Sequence, residues 1–210
     1  MSEFFGSPIG QLTAVGAAVV LFLAAVGTAT RFGRSGVRIT TVTAVCLAMA
    51  TALSFVKPFE LYNGGSVTLL SMFFVTVVGY FFGLGPGLLA GATYSFIQLA
   101  VDPVVVSPVQ AALDYLFGFG LLGVSGAFAG TRGGLYIGYI AGVTGRFIAT
   151  LLSGVLFWSA YAPEGMNVWL YSALYNGGYI FAEAAITLVI ISLPPVRGAV
   201  SRLRDRFARA

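Results

Sequence analysis

The sequence predicts an all-α membrane protein, a bundle of transmembrane helices, and three observations carry that prediction. Apolar residues make up 58% of the chain and charged residues 9%, with a mean hydropathy of +0.94, whereas a soluble domain carries charge at about a quarter of its positions. The apolar residues come in runs of about twenty, enough for an α-helix to cross hydrocarbon, and not in the alternating stretches of a β-barrel. Basic residues fall almost entirely on one side of the chain when the runs are threaded alternately through a membrane. At 210 residues there is room for six or seven spans with short loops and no soluble domain.

Leu12 to Ala29 is the first run. Glu3 precedes it and Arg31, Arg34 and Arg38 follow it, the reverse of a secretory signal, so it reads as a retained span with its N-terminus outside. Ile39 to Val56 is the second, with Ala44, Ala48 and Ala52 at four-residue intervals. Small residues so spaced let another helix approach closely, in this chain or in a partner. A polar loop from Lys57 to Ser66 follows. Val67 to Phe82 and Leu88 to Val101 form the next pair, turned by Gly83-Leu84-Gly85-Pro86-Gly87. That turn is too apolar, and lacks the lysine, to be a phosphate loop.

After a loop from Asp102 to Pro108, the run Val109 to Ala129 opens with Gln110 and Asp114 four residues apart and Tyr115 adjacent. Thr131 to Gly134 is a turn holding Arg132. Leu135 to Trp158 and Val168 to Leu193 make the last hairpin, ended by Pro194 and Pro195. The tail carries Arg197, Arg202, Arg204, Arg206 and Arg209. The chain thus divides into an N-terminal span and linker (residues 1–37), a six-helix membrane domain (38–195) and a basic tail (196–210).

Alternate threading puts residues 31–38, Arg132 and the tail on one side, which therefore holds nine of the eleven basic residues. The other side holds Lys57 with Glu3, Glu60, Asp102 and Glu164. Short cytoplasmic loops retain Lys and Arg, so the C-terminus is cytoplasmic and the protein is a multi-pass component of the cell membrane. The net charge of +4 is accounted for by this topology and points to membrane lipid, not to nucleic acid.

Histidine is absent from the chain, which excludes serine-histidine and cysteine-histidine catalysis and any His-based metal site. The one cysteine, Cys46, sits in a span and cannot form an internal disulfide. Neither an enzyme, nor a metal site, nor a cofactor is expected.

The last hairpin concentrates the unusual residues. Arg146, Thr150, Gly154 and Trp158 recur every four residues and share one helix face, as do Tyr171, Tyr175, Tyr179 and Glu183 on the return segment, with Asn176 beside them. Aromatic stripes in apolar helices are usually packing. A carboxamide and charges are different, because in lipid they are costly unless paired or solvated. At about 1.5 Å per residue, Asp114, Thr150 and Asn176 lie roughly 9 to 12 Å below the outer rim near Trp158 and Tyr171. Arg146 and Glu183 lie deeper, where pairing with each other is the expected structural tie.

A buried carboxylate among rings is either protonated and hydrogen-bonded, or balanced by a cation that enters the pocket. Aromatic faces attract cations too, by roughly 0.5 to 2 kcal/mol per ring. Asp114, Trp158 and the tyrosines suit a small organic cation with a flat ring for Asn176 to read. The expectation is a binding pocket and not a channel, since no ring of charges or continuous polar stripe is present.

Several motifs together resemble the thiamine-specific substrate-binding (S) components of energy-coupling factor transporters. They are Gly64-Gly65-Ser66-Val67-Thr68-Leu69 with Ser71-Met72, Leu113-Asp114-Tyr115, Arg146-Phe147-Ile148 with Ser153-Gly154-Val155, and Phe157 through Asn167 with Tyr171-Ser172 and Tyr175-Asn176-Gly177. The likeness covers about residues 38 to 193, with the motifs in the family's order and spacing, and leaves the first span as an addition to a six-helix core. It implies capture of thiamine from outside with high affinity, closed by the loop Lys57 to Ser66. It implies no ATPase in this chain, but docking through Ala44, Ala48 and Ala52 on a membrane coupling protein with two ATPases. Asp114 matches the acidic residue that faces the thiazolium, and Tyr115, Gly154, Trp158, Tyr171 and Asn176 match ligand-contacting positions. Where that family has a pocket histidine this chain has Thr150, which can hydrogen-bond but cannot stack. A thiamine precursor or another small vitamin is the alternative ligand. The alternative of another class is a structural membrane protein whose polar residues only tie helices together.

Overall fold

A computed structural model describes residues 36–62 and 64–208. The predicted span Leu12 to Ala29 and the side of its N-terminus lie outside the described residues. Helices make up almost all of the rest. They are α1 (Val37–Ser54), α2 (Ser71–Phe82), α3 (Leu84–Val101), α4 (residues 108–128), α5 (Gly134–Phe157), α6 (Val168–Ser192) and α7 (Pro194–Ala208). Between α1 and α2 two short strands, β1 (Phe59–Glu60) and β2 (Ser66–Val67), pair antiparallel with Phe59 opposite Val67. Among the described residues five helices, α1 and α3 to α6, are long and apolar enough to cross a membrane, and α2 is a shorter apolar helix of 12 residues.

Local chemistry moves several predicted boundaries. The run from Val67 becomes helix only at Ser71, because Leu70 takes a left-handed φ of 60° and the hydroxyls of Thr68 and Ser71 are drawn to Glu183. The five-residue turn shrinks to Gly83 alone, at φ +92°. Gly85, Pro86 and Gly87 already belong to α3, whose first turn lacks intrahelical partners for its N–H groups and so tolerates proline. Pro194 and Pro195 do end α6, after Ser192, but they also start α7, since proline suits the first positions of a helix. The basic tail is therefore helical. Its Phe207 packs on Phe81 and Phe82 at 5.2 and 5.5 Å between centroids, and Arg204 lies 4.9 Å over the Tyr80 ring.

α4 is the irregular member. Ser107 caps it, with Oγ accepting from Gln110 N at 3.1 Å. One α-turn then opens into a π-helical stretch, Ala112–Phe117, and the helix tightens to a 3₁₀ stretch over Leu121–Phe128. That tight segment is wedged between α2, α3 and α5. Backbones there meet with no room for side chains. A Cβ on Gly87 would stand 2.6 Å from the Gly123 carbonyl oxygen, and one on Gly142 would stand 2.7 Å from that of Leu122. Around this seam Tyr94, Tyr139, Met72, Leu122, Ile180 and Ile191 are fully buried.

Candidate ligand-binding site

The loops α1–α2, α3–α4 and α5–α6 gather at one end of the bundle, and beneath them lies a cavity of about 340 Å³. All seven residues singled out for ligand contact line it: Asp114 and Tyr115 from α4, Thr150, Gly154 and Trp158 from α5 and its end, Tyr171 and Asn176 from α6. The π-helical stretch carries the two neighbours Asp114 and Tyr115, a winding that recurs at functional sites.

Hydrogen bonds fix how each group is presented. Gln110 is 1% exposed. Its amide nitrogen donates to Asp114 Oδ2 at 2.6 Å and to the Val104 carbonyl at 3.0 Å, so the carboxylate is oriented and tied to the α3–α4 loop. Tyr115 Oη donates to the Asp102 carbonyl (2.8 Å) and accepts from Val104 N (2.7 Å). Its hydroxyl holds the loop while the residue lines the cavity. Thr150 Oγ1 donates inside its own helix, towards the carbonyls of Arg146 and Phe147 at 3.2 and 3.1 Å, and has lone pairs left over.

Gly154 is where α5 meets α6. A Cβ there would collide with Ser172 Oγ and stand 3.0 Å from Asn176 Nδ2. Asn176 Nδ2 donates to the Thr150 and Ser172 carbonyls (3.2 and 3.0 Å), and Oδ1 accepts from Tyr179 Oη at 2.9 Å. Its carboxamide therefore fastens the hairpin and offers a guest its remaining Oδ1 lone pair.

The ligand-contacting positions named from the sequence do not include Tyr175 and Tyr179, yet both line the cavity with Tyr171, as the four-residue stripe suggests. Rings 171, 175 and 179 succeed one another at 6.0 Å, and the β1–β2 loop rests on them. Gly65 N donates to Tyr175 Oη at 3.0 Å, and a Cβ on Gly65 would stand 2.8 Å from the Tyr179 ring. Lys57, Gly64, Gly65 and Ser66 of this loop line the cavity mouth. Lys57 clasps its edge, 3.0 Å from Glu60 and 2.7 Å from Asp102 across the mouth. The Asp102 carboxylate, as hydrogen-bond acceptor, raises the pKa of Lys57 above the ordinary lysine value. Raised in this sense, the clasp is complete below the usual lysine pKa and lost only in stronger alkali.

The expected Arg146–Glu183 tie is not formed. Glu183, 4% exposed, accepts from Thr68 N and Oγ1 (3.3 and 2.6 Å), Ser71 Oγ (3.0 Å) and Met72 N (3.1 Å). Thr68, just before α2, takes one oxygen and the first residues of α2 take the other, and a helix N-terminus favours negative charge, so the arginine is not needed. Arg146 instead lies 3.9 Å over the Phe119 ring, with Nε and Nη1 buried and unbonded among the described residues. Ala44, Ala48 and Ala52 are exposed on α1 and line a shallow apolar groove with Thr93 and Ile97 of α3.

A family model described as thiamine transporter protein matches residues 40–200. The thiamine transporter ThiT of Bacillus subtilis is 29% identical over 171 residues, covering 75% of this chain and 86% of that protein. ThiT of Lacticaseibacillus paracasei is 30% identical over 174 residues, covering 72% and 83%. The solved structure of ThiT from Listeria monocytogenes superposes with a TM-score of 0.61 at 24% identity, over 75% of this chain and 94% of that one, a likeness of fold.

Proposed function

We propose from a fixed premise, that this chain belongs to the thiamine transporter protein family, that its cavity is where thiamine is captured. The chain is a multi-pass membrane protein and the thiamine-binding substrate component of an energy-coupling factor transporter. One observation carries the assignment of the site: a carboxylate, a tryptophan, a tyrosine ladder and a carboxamide converge on one cavity under a lid. Asp114 faces the cationic thiazolium, Trp158 and Tyr171 flank the rings, and Tyr115, Thr150, Gly154 and Asn176 complete the wall. The lidded end bears Lys57 with Glu60, Asp102 and Glu164. It therefore faces outward, and the C-terminus is cytoplasmic. The groove at Ala44, Ala48 and Ala52 takes a helix of the membrane coupling protein, whose two ATPases supply the energy.

Thiamine titrated into the purified full-length protein is expected to quench tryptophan fluorescence. The quench should vanish in Trp158→Phe and persist in Trp169→Phe, because Trp169 is 54% exposed and outside the cavity. Absence of both quench and calorimetric heat at micromolar thiamine overturns the assignment. Lys57→Met should speed thiamine release about two- to fivefold, the scale of partly exposed ion pairs, as measured by stopped-flow displacement. High salt should speed wild-type release in the same direction.

A further inference from the structure

Gln110 stands one turn before Asp114 on the same side of α4, and its buried amide has to find partners for an oxygen and two N–H groups. Oε1 accepts from Val106 N at 3.0 Å, and Nε2 donates to the Val104 carbonyl at 3.0 Å and to Asp114 Oδ2 at 2.6 Å. Turning the amide over would set Oε1 against two acceptor oxygens and the amino group against the Val106 N–H, so a single orientation satisfies all three partners. The residue is also fixed from behind. Its own N–H donates to the Ser107 cap, and Tyr115 Oη braces the same loop at the Asp102 carbonyl and Val104 N. The loop side of the contact is therefore rigid, and the carboxylate is the partner that complies. An aspartate carboxylate left to itself turns about two torsions, and a charge-assisted bond of this kind is strong enough to choose among its positions. The choice matters to a cation. At intermediate polarity, moving the opposite charge from about 4 to about 6 Å removes roughly a third of the attraction, about tenfold in affinity. An uncharged ring does not feel that loss.

We propose that Gln110 is a positioning residue that sets the preference of the cavity for a cationic guest over a neutral one. It acts through Asp114: the amide, held by the α3–α4 loop, keeps the carboxylate where the positive part of the guest comes to rest. Selection for charge then depends on a loop at the mouth as much as on the acidic residue itself. The inference rests on the thiamine-binding reading above.

The test is calorimetry of the full chain and of Gln110→Met, a side chain of similar length with no amide, with thiamine and with its uncharged pyrimidine half. The variant should fold, because Val105 and Val106 are exposed and water reaches the loop backbone that the amide gives up. Thiamine binding is expected to weaken about tenfold and pyrimidine binding by less than about threefold. In the Asp114→Asn background the same substitution should cost thiamine about threefold or less, because no charge is left to aim. The ratio of thiamine to pyrimidine affinity decides. A fall of about threefold or more in Gln110→Met that is absent from the Asp114→Asn background supports the proposal. A smaller fall, or one of the same size in both backgrounds, overturns it and leaves Gln110 a residue that only secures the loop. If Gln110→Met does not fold, Gln110→Asn, which keeps the amide but withdraws it by one methylene, is judged by the same ratio. Wild-type protein that binds no thiamine overturns the functional reading first, and this inference with it.

Discussion

Replacing Asp114 by asparagine is expected to weaken thiamine binding by about a hundredfold while leaving the fold intact. Opposite charges about 4 Å apart in an environment of intermediate polarity attract by about 4 kcal/mol. Retaining a neutral side chain of the same shape keeps part of the contact, leaving a loss of about 3 kcal/mol, or roughly a hundredfold in affinity. The variant should still fold, because an asparagine Oδ1 can accept the bond from Gln110 Nε2 that now orients the carboxylate. Calorimetry with thiamine and with its uncharged pyrimidine half separates charge from shape. The pyrimidine alone should bind both proteins alike. Equal thiamine affinity in wild type and Asp114→Asn would show that the carboxylate is not the counter-charge.

Gly123→Ala is the second large effect, and it acts on stability. A Cβ at Gly123 would overlap the backbone of Gly87 and Leu88, so α3 and α4 must move apart to admit it. Overfilling a close-packed interior costs about 1 to 3 kcal/mol, and here the obstructing atoms are main chain, which cannot rotate away. A drop in melting temperature of about 5 to 10 °C is expected in detergent. Binding should fall as well, because α4 carries Asp114. Gly178→Ala is the control. It lies in α6 with nothing within 4 Å of the added carbon, so alanine should be neutral or slightly stabilising. If Gly123→Ala melts with the wild type, the close approach of α3 and α4 is not present in the folded protein.

The convergence of Asp114, Trp158 and Asn176 on one cavity was legible in the sequence because helical periodicity fixes which residues share a face, and polar groups in apolar spans have few places to go. Tyr175 and Tyr179 stood in the same stripe and were legible as pocket wall, but the ligand-contacting positions that the family resemblance implies do not include them. The π-helical winding at Ala112–Phe117 has no comparable signal, since its residues are ordinary helix formers. The partner of Glu183 was misjudged for a different reason. Charge complementarity names the arginine, but the carboxylate is met by backbone N–H groups and hydroxyls at the start of α2, and main-chain donors carry no mark in a sequence. Depth counted along helices also could not show that Thr150 turns its hydroxyl proton back onto its own carbonyls.

The four bonds to Glu183 have a mechanical side. They rivet the downstream margin of the flap above the cavity to the middle of α6, deep in a dry interior. At the upstream margin the described ion pairs are those of Lys57 Nζ at the water's edge, with Glu60 and Asp102. A panel fastened so unequally peels from its weaker border and pivots about the stronger one. Opening there is expected to start beside the top of α1, next to Lys57, with the tyrosine ladder uncovered last.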